Sequence, residues 1–223
     1  MAVPSKPRKP ARDSYRHGDL RRALVDEGVA LAREGGPSAV TLREATRRAG
    51  VAPNAAYRHF DGHDALFAAV RSAALAALAR SIEAHWRDAE RTRGPKARAR
   101  ALLRAVGIGY VEFAQCEAGL FRTAFGAGAF DVQRPTNPER TGALGMNPFE
   151  LLGAALDAMV ACGALPAARR PDAEFLAWSA VHGMACLCTD GPLRNTPPAY
   201  RTALGERLVE MVEKGLASAP GRA

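Results

Sequence analysis

Residues 41–60 have side chains of the types that read DNA bases and contact phosphates. The segment TLREATRRAGVAPNAAYRHF contains a short run with helical periodicity, then a glycine, then a second short run. The second run carries Asn54, Tyr57 and His59 among small residues. An Asn amide can form two hydrogen bonds with adenine in the major groove, and polar side chains also bond to phosphates. The pattern predicts a helix-turn-helix whose second helix, from about Pro53 to His59, reads DNA; this is called the reading helix below.

Local signals position the two helices. Thr41 can accept a hydrogen bond from the backbone N–H of Glu44, and the Glu44 carboxylate can reach back, which together make a capping box. Gly50 can adopt the left-handed conformation that ends a helix. Pro53 suits the first turn of a new helix, because its missing N–H costs nothing there. A helical hairpin inside an ordinary bundle would carry similar signals, so this motif alone leaves both interpretations open.

Further motifs occur in a fixed order around this segment. They are YRHGDLR at residues 15–21, GGP at 35–37, VTLRE at 40–44, AGV at 49–51, AYRHF at 56–60, an acidic cap followed by Ala65-Leu66, and WSAVHG at 178–183. The first six resemble the tetracycline-repressor-like (TetR) family of bacterial transcriptional regulators over residues 15 to about 70. The last is similar to the W…HG signature of one C-terminal ligand-binding subtype. The resemblance implies an all-α fold, with an N-terminal three-helix DNA-binding domain and a larger helical domain for ligand binding and dimerisation.

The resemblance also implies a domain division and a set of DNA contacts. We expect a DNA-binding domain over residues 17–65 and a ligand-binding and dimerisation domain over 66–218. The chain departs from the residues common in the family at Ala52, Asn54, Ala55 and Gly62-His63. His63 stands where a phosphate-binding Lys is common. The residues expected at the DNA are Thr41, Arg43, Pro53, Asn54, Ala55, Tyr57, His59 and His63.

Charge and composition agree with a polyanionic partner. The 223 residues carry a formal net charge of +8, and the pI is about 9.8. Residues 1–16 are Pro-rich and basic, which predicts a disordered arm that either contacts phosphate or is simply solvated. We expect a cytoplasmic protein, because no apolar secretory segment is visible and the four cysteines follow no disulfide or zinc spacing.

The periodicity predicts helices and no strand. Helices are expected over residues 19–34, 41–49, 53–59, 62–90, 96–115, 117–125, 148–162, 172–188 and 199–216, with a mobile loop at 126–147. The helix over 62–90 would be on the order of 45 Å long, which is enough to join the two domains. The stretch 175–189 is too short to cross a membrane and predicts a buried core helix, so no membrane partner is expected.

The last two helices are candidates for a dimer interface. Leu204, Leu208 and Met211 lie in an apolar stripe on the last helix. The helix before it is apolar on nearly every side, so one side can cover the core while another meets a partner. Both helices could instead close the core of a monomer; the family resemblance favours a four-helix interface between two subunits.

The candidate ligand residues are Phe113, Phe121, Trp178 and His182. His182 is an ionisable group in an apolar helix, and a buried polar group needs a partner. That partner could be a ligand or a neighbouring side chain, and aromatic residues at helical spacing are often plain core. His182, Cys186 and Cys188 offer little for a metal because Cys188 points elsewhere, and nothing indicates a cofactor.

Catalysis has little support. There is no phosphate loop, nucleophile elbow or apolar carboxylate pair.

The sequence therefore predicts a non-enzymatic, homodimeric regulator. We expect a repressor that a small apolar molecule releases from a palindromic double-stranded DNA operator. The alternative is a constitutive or architectural DNA-binding protein without a ligand switch.

Overall fold

A computed structural model describes residues 17–126 and 137–218 of the chain. Within these ranges the regular structure is entirely helical, as predicted. The α-helices are α1 (His17–Gly35), α2 (Leu42–Arg48), α3 (Pro53–Ala56), α4 (His63–Glu90), α5 (Pro95–Cys116), α6 (Ala118–Phe125), α7 (Pro148–Ala161), α8 (Ala173–Thr189) and α9 (Pro198–Ala217). Three short 3-10 helices cover Pro37–Ala39, Pro138–Arg140 and Ala167–Arg169.

The predicted and observed helices agree closely except at the reading helix. The α-helical part of α3 ends at Ala56 rather than at His59. The chain continues through a turn in which the backbone N–H groups of His59 and Phe60 both donate to the carbonyl of Ala56, at 2.9 Å. The predicted basic arm and residues 127–136 of the predicted loop lie outside the described residues. The described part of that loop contains the 3-10 helix Pro138–Arg140.

Helix α4 is the central element of the fold. Its 28 residues make it about 42 Å long, and it packs against α1, α5, α6 and α7. By length and apolar composition α4 could cross a membrane, but 56% of its most apolar window is buried inside the protein. It is therefore explained as the core helix of a helical fold.

The hydrophobic core runs without a break from α1 to α9. Its fully buried members include Leu24 of α1, Leu66 and Ile82 of α4, Leu120 of α6 and Met159 of α7. Because α4 contributes buried residues along its whole length, the DNA-binding helices and the C-terminal helices share one core. The division at residue 65 therefore stays a prediction.

The short helix α6 lies directly on the end of α1. A Cβ atom added at Gly119 would lie 2.7 Å from the carbonyl oxygen of Arg33 and closer still to that of Ala32. Only glycine permits this backbone approach. Nearby, the guanidinium of Arg33 pairs with the carboxylate of Glu117 at 3.0 Å. The C-terminal helices thus contact the DNA-binding helices through α6 as well as through α4.

Candidate DNA interface and effector pocket

The first helix of the helix-turn-helix begins with one half of the predicted capping box. The Thr41 hydroxyl accepts a hydrogen bond from the backbone N–H of Glu44 at 3.2 Å. The Glu44 carboxylate instead binds Arg47 at 2.6 Å and Arg48 at 3.3 Å. The hydrogen bond from Arg47, with a further contribution from Arg48, lowers the pKa of Glu44 to about 2. The reciprocal half of the box is therefore wrong, because two guanidinium groups compete for the carboxylate.

Arg48 also fixes α2 to α1. Its guanidinium binds the carboxylate of Glu34 at 2.6 Å, and the hydrogen bond from Arg48 lowers the pKa of Glu34. Arg48 is thus engaged within the protein. Arg43, on another side of α2, is exposed and stays available for a phosphate.

The turn between α2 and α3 is built by backbone groups. Gly50 has a φ of 69°, in the left-handed region that favours glycine. The N–H of Val51 then bonds to the carbonyl of Thr46 at 3.0 Å. Pro53 occupies the first turn of α3. These features orient the reading helix relative to α2 as the sequence predicts.

The side chains predicted to meet DNA lie mostly on the outer side of the motif. Thr41, Arg43, Pro53, Asn54 and Tyr57 are exposed, whereas Ala55 and His59 are half-buried. Tyr57 has 60% of its surface exposed, which is high for a large aromatic residue. Ala56 and Phe60 are buried and anchor the reading helix to the core. The arrangement suits a groove-facing surface, and contact with DNA stays a prediction.

His63 has partners inside the protein. Its Nε2 lies 2.9 Å from the carbonyl oxygen of Val40, and its Nδ1 lies 3.1 Å from the carboxylate of Asp64. The ring stacks on Phe67 with 5.8 Å between centroids. His63 therefore ties the start of α4 to the residue preceding Thr41. A phosphate contact by this ring stays a prediction and would require it to leave one of these partners.

A pocket opens between α5, α7, α8 and α9. Its cavity volume is about 40 Å³, and about 570 Å³ of space is counted when the region out to the open mouth is included. Its lining consists of Leu103, Val106, Gly107, Tyr110, Phe125, Pro148, Phe149, Leu152, Ala177, Trp178, Val181, Val209 and Val212. These residues are apolar apart from one phenol and one indole, so the pocket suits a ligand that is mostly apolar.

A chain of polar contacts runs from the pocket wall to the surface of α8. The indole N–H of Trp178 donates to the Tyr110 hydroxyl at 3.1 Å, and that hydroxyl lies 2.8 Å from Nδ1 of His182. Nε2 of His182 lies 3.6 Å from the Cys186 sulfur. Burial lowers the pKa of His182, which favours the neutral imidazole. Burial also raises the pKa of Tyr110, so the phenol keeps its proton.

The four predicted ligand residues fall in different places. Trp178 lines the pocket, and His182 lies behind it, bonded to Tyr110. The ring of Phe121 packs against those of Tyr110 and His182, with centroids 5.9 and 5.5 Å away. Phe113 is buried in α5 and is not among the pocket-lining residues. The sequence left open whether His182 bonds to a ligand or to a neighbouring side chain. The structure contains a side-chain partner, Tyr110.

Sequence reasoning missed Tyr110. Its hydroxyl lies in a helix that is apolar around it and only 4% of the residue is exposed. A buried hydroxyl needs a partner just as a buried imidazole does. The argument applied to His182 would therefore have singled out Tyr110 as well, although not the pairing between them.

Among the described residues, the cysteines are not grouped with other metal-ligating side chains, and Cys186 is not an activated thiol. No three His, Cys, Asp or Glu side chains of the described residues are grouped so that they could hold a metal ion. Burial, followed by the charge of Asp190, raises the pKa of the Cys186 thiol, and a protonated thiol is a poor nucleophile. Cys186 therefore ends the polar chain without reactive character.

An exposed apolar face lies across α8 and α9. On α8, Phe175, Leu176 and Leu187 are between 44% and 63% exposed, whereas other residues of the same helix are buried, so one side of this predicted core helix covers the core and another faces solvent. On α9, Met211 is 60% exposed. Leu204 and Leu208 are half-buried and pack against the core. Large exposed apolar side chains on neighbouring helices are typical of a surface that meets another protein.

Two sequence models of protein families match the chain. One, described as bacterial regulatory proteins of the tetR family, covers residues 24–70. The other, described as a tetracyclin repressor-like C-terminal domain, covers residues 103–212. The first range contains the helix-turn-helix, and the second contains the pocket-lining residues of α5 to α9. No curated protein matches the chain significantly.

Solved structures with similar folds cover nearly the whole chain. A Rhodococcus sp. RHA1 protein of unknown function is 23% identical with a TM-score of 0.69, covering 93% of this chain and 100% of its own. A TetR-family transcriptional regulator from Pectobacterium atrosepticum is 19% identical with a TM-score of 0.56, covering 92% and 97%. The TetR-family regulator PfmR from Thermus thermophilus is 18% identical with a TM-score of 0.51, covering 86% and 98%.

Proposed function

Because this chain belongs to the TetR family of transcriptional regulators, we propose that it is a homodimeric repressor released from its operator by a small apolar effector. It acts in the cytoplasm on double-stranded DNA. The observation that carries the switch is the position of α6, which contacts the polar chain beside the pocket on one side and α1 on the other.

The DNA-binding part of the proposal rests on the exposed side of the helix-turn-helix. Asn54 and Tyr57 are exposed on the reading helix, and Arg43 is exposed on α2. A twofold dimer places two reading helices in successive major grooves about 34–36 Å apart, which requires a palindromic site. The spacing between the two reading helices therefore decides affinity.

The dimer part rests on the exposed apolar face of α8 and α9. Two copies of this face can pack as four helices and remove Phe175, Leu176 and Met211 from water. Among the predicted interface residues, Met211 is the best position for a substitution that tests dimerisation, because Leu204 and Leu208 also contact the subunit's own core. A charge at Met211 opposes association while leaving the core intact.

This part is tested with Met211→Glu. The variant should elute as a monomer in size-exclusion chromatography and lose most of its operator affinity, with an unchanged circular dichroism spectrum. Glu206→Gln, at an exposed position on another side of α9, should stay dimeric. A monomeric wild-type protein with full operator affinity would refute the dimer.

The switch part follows from the contacts of α6. Phe121 and Phe125 of α6 pack on Tyr110 and on His182, with ring centroids 5.2 to 5.9 Å apart. From the same helix, the backbone at Gly119 meets the last turn of α1. A ligand that moves Phe125, which lines the pocket, therefore moves α6 against the DNA-binding helices.

A second link joins α6 to the long helix. The guanidinium of Arg71, in the N-terminal third of α4, donates to the carbonyl of Thr123 at 3.3 Å. Helix α4 begins at His63, which is bonded to Val40 beside the helix-turn-helix. The effector must bind more tightly to the conformation with the wrong groove spacing, since equal affinity for both states shifts nothing.

The whole proposal is tested by selecting bound genomic DNA fragments with the purified protein. A palindromic site should emerge, and genes next to it should suggest effector compounds. A true effector raises the melting temperature of the free protein and weakens operator binding in a mobility-shift assay. Operator binding that no stabilising compound weakens would instead support the constitutive regulator.

A further inference from the structure

The lining of the pocket restricts the charge of its ligand. None of the described residues that line it is Asp, Glu, Lys or Arg. Burying an ionised group without a charged partner costs far more than burying a neutral one. The ligand is therefore uncharged. The rings of Phe149 and Trp178 are in edge-to-face contact, with centroids 6.2 Å apart, and they present aromatic surface against which a flat ring can pack.

The lining also contains a phenol that can bond to a ligand. Tyr110 is 4% exposed, and its hydroxyl is held between the indole N–H of Trp178 and Nδ1 of His182. Because an indole can only donate, Trp178 occupies one acceptor position of the phenol oxygen. Whether the phenol can donate a hydrogen bond to a ligand or accept one from it depends on which ring nitrogen of His182 carries the proton.

Neutral His182 has two tautomers, and each gives the phenol a different role. With Nδ1 unprotonated, Tyr110 donates its proton to Nδ1 and its oxygen can accept from a ligand. With Nδ1 protonated, the imidazole donates to Tyr110, and the phenol proton is free to bond to a ligand acceptor. A ligand hydroxyl both donates and accepts, so it fits either arrangement without leaving a buried group unpaired.

We propose that the pocket binds an uncharged aromatic molecule bearing a hydroxyl group, and that Tyr110 selects for that hydroxyl. The proposal deepens the effector switch described above and rests on it for its biological consequence. Binding itself is independent of DNA, so the two can fail separately.

The test compares p-cresol with p-xylene, which differ only by a hydroxyl in place of a methyl group. Binding to the wild-type dimer is measured by calorimetry at neutral pH, where p-cresol is uncharged. At its upper net value the hydrogen bond outweighs the buried methyl group that p-cresol lacks, so p-cresol should bind about threefold more tightly than p-xylene. Trp178 fluorescence localises the event when Trp86→Phe removes the only other tryptophan.

Tyr110→Phe then assigns the preference to the phenol. The variant should lose affinity for p-cresol and keep its affinity for p-xylene, so that the preference for p-cresol is lost or reversed, because a buried hydroxyl without a partner is unfavourable. Tyr200→Phe makes the same change at an exposed position on α9 and should keep the wild-type ratio. If Tyr110→Phe does not fold, the wild-type ratio still decides whether the pocket selects a hydroxyl.

Three results would overturn the proposal: no binding of either compound, equal affinity of the wild type for both, or a preference that survives in Tyr110→Phe. Operator release by the same compounds is a separate measurement. Selective binding of p-cresol that leaves operator complexes intact supports the pocket proposal and counts against the effector switch.

Discussion

The contact between α6 and α1 can be tested by adding a single methyl group. In Gly119→Ala the new Cβ would lie 2.7 Å from the Arg33 carbonyl oxygen and closer still to the Ala32 carbonyl. Both obstacles are backbone atoms, so α6 must move away from α1. Overpacking of this kind costs about 1–3 kcal/mol, and for a chain of this size that lowers the melting temperature by about 2–12 °C.

The assay is chemical and thermal denaturation followed by circular dichroism, at one fixed protein concentration. Gly153→Ala is the matched control, because a Cβ there makes only ordinary contacts at 3.6 Å or more. Its position inside α7 predicts a gain of about 0.5–1 kcal/mol. If Gly119→Ala is as stable as Gly153→Ala, α6 does not rest on α1 as described, and the proposed coupling loses its physical basis.

Three further predictions concern the reading helix, the polar chain and the α6–α7 segment. Asn54→Ala should relax sequence preference at one base pair of the operator by about 1–3 kcal/mol, measured by binding to single-site operator variants; unchanged preference would mean that another residue reads that base. Because burial lowers the pKa of His182 below its ordinary 6.5, the folded state binds fewer protons than the unfolded state; stability should therefore fall as pH decreases below about 6.5. The free energy of unfolding of His182→Gln should depend less on pH over that range. A pH profile identical to that of the wild type would contradict the assignment of this dependence to His182. The buried carboxylate of Glu83 accepts backbone hydrogen bonds from Ala143 and Leu144, both at 2.8 Å. Glu83→Ala should therefore lower the free energy of unfolding by about 1.5–3 kcal/mol per charge-assisted bond at most and speed amide hydrogen exchange at those two residues. Unchanged exchange would show that the carboxylate does not hold them.

Helix positions were predictable because their signals are local. The ends of α4, α5 and α9 lie within two residues of the predicted ends, since glycine and proline break the chain near most of them. The reading helix was predicted too long. Its α-helical part ends at Ala56, and no glycine or proline between Ala56 and Phe60 marks that end in the sequence.

The capping box at Thr41 formed only in part. Local spacing allows Glu44 to reach back to the cap, but Arg47 and Arg48 bind its carboxylate instead. Arg48 is itself positioned by Glu34 of α1. The competition between a local hydrogen bond and an ion-pair network is decided by where α1 lies.

By itself the sequence determined the helical class, the order of the helices and the position of the DNA-reading motif, because periodicity, caps and breakers act over a few residues. It also showed that His182 needs a polar partner. Only the tertiary structure decided that the partner is Tyr110, 72 residues away along the chain, and that Phe113 is not among the residues that line the pocket described above. Which buried groups meet depends on how helices pack, and packing is set by the shapes of all the contacting side chains together.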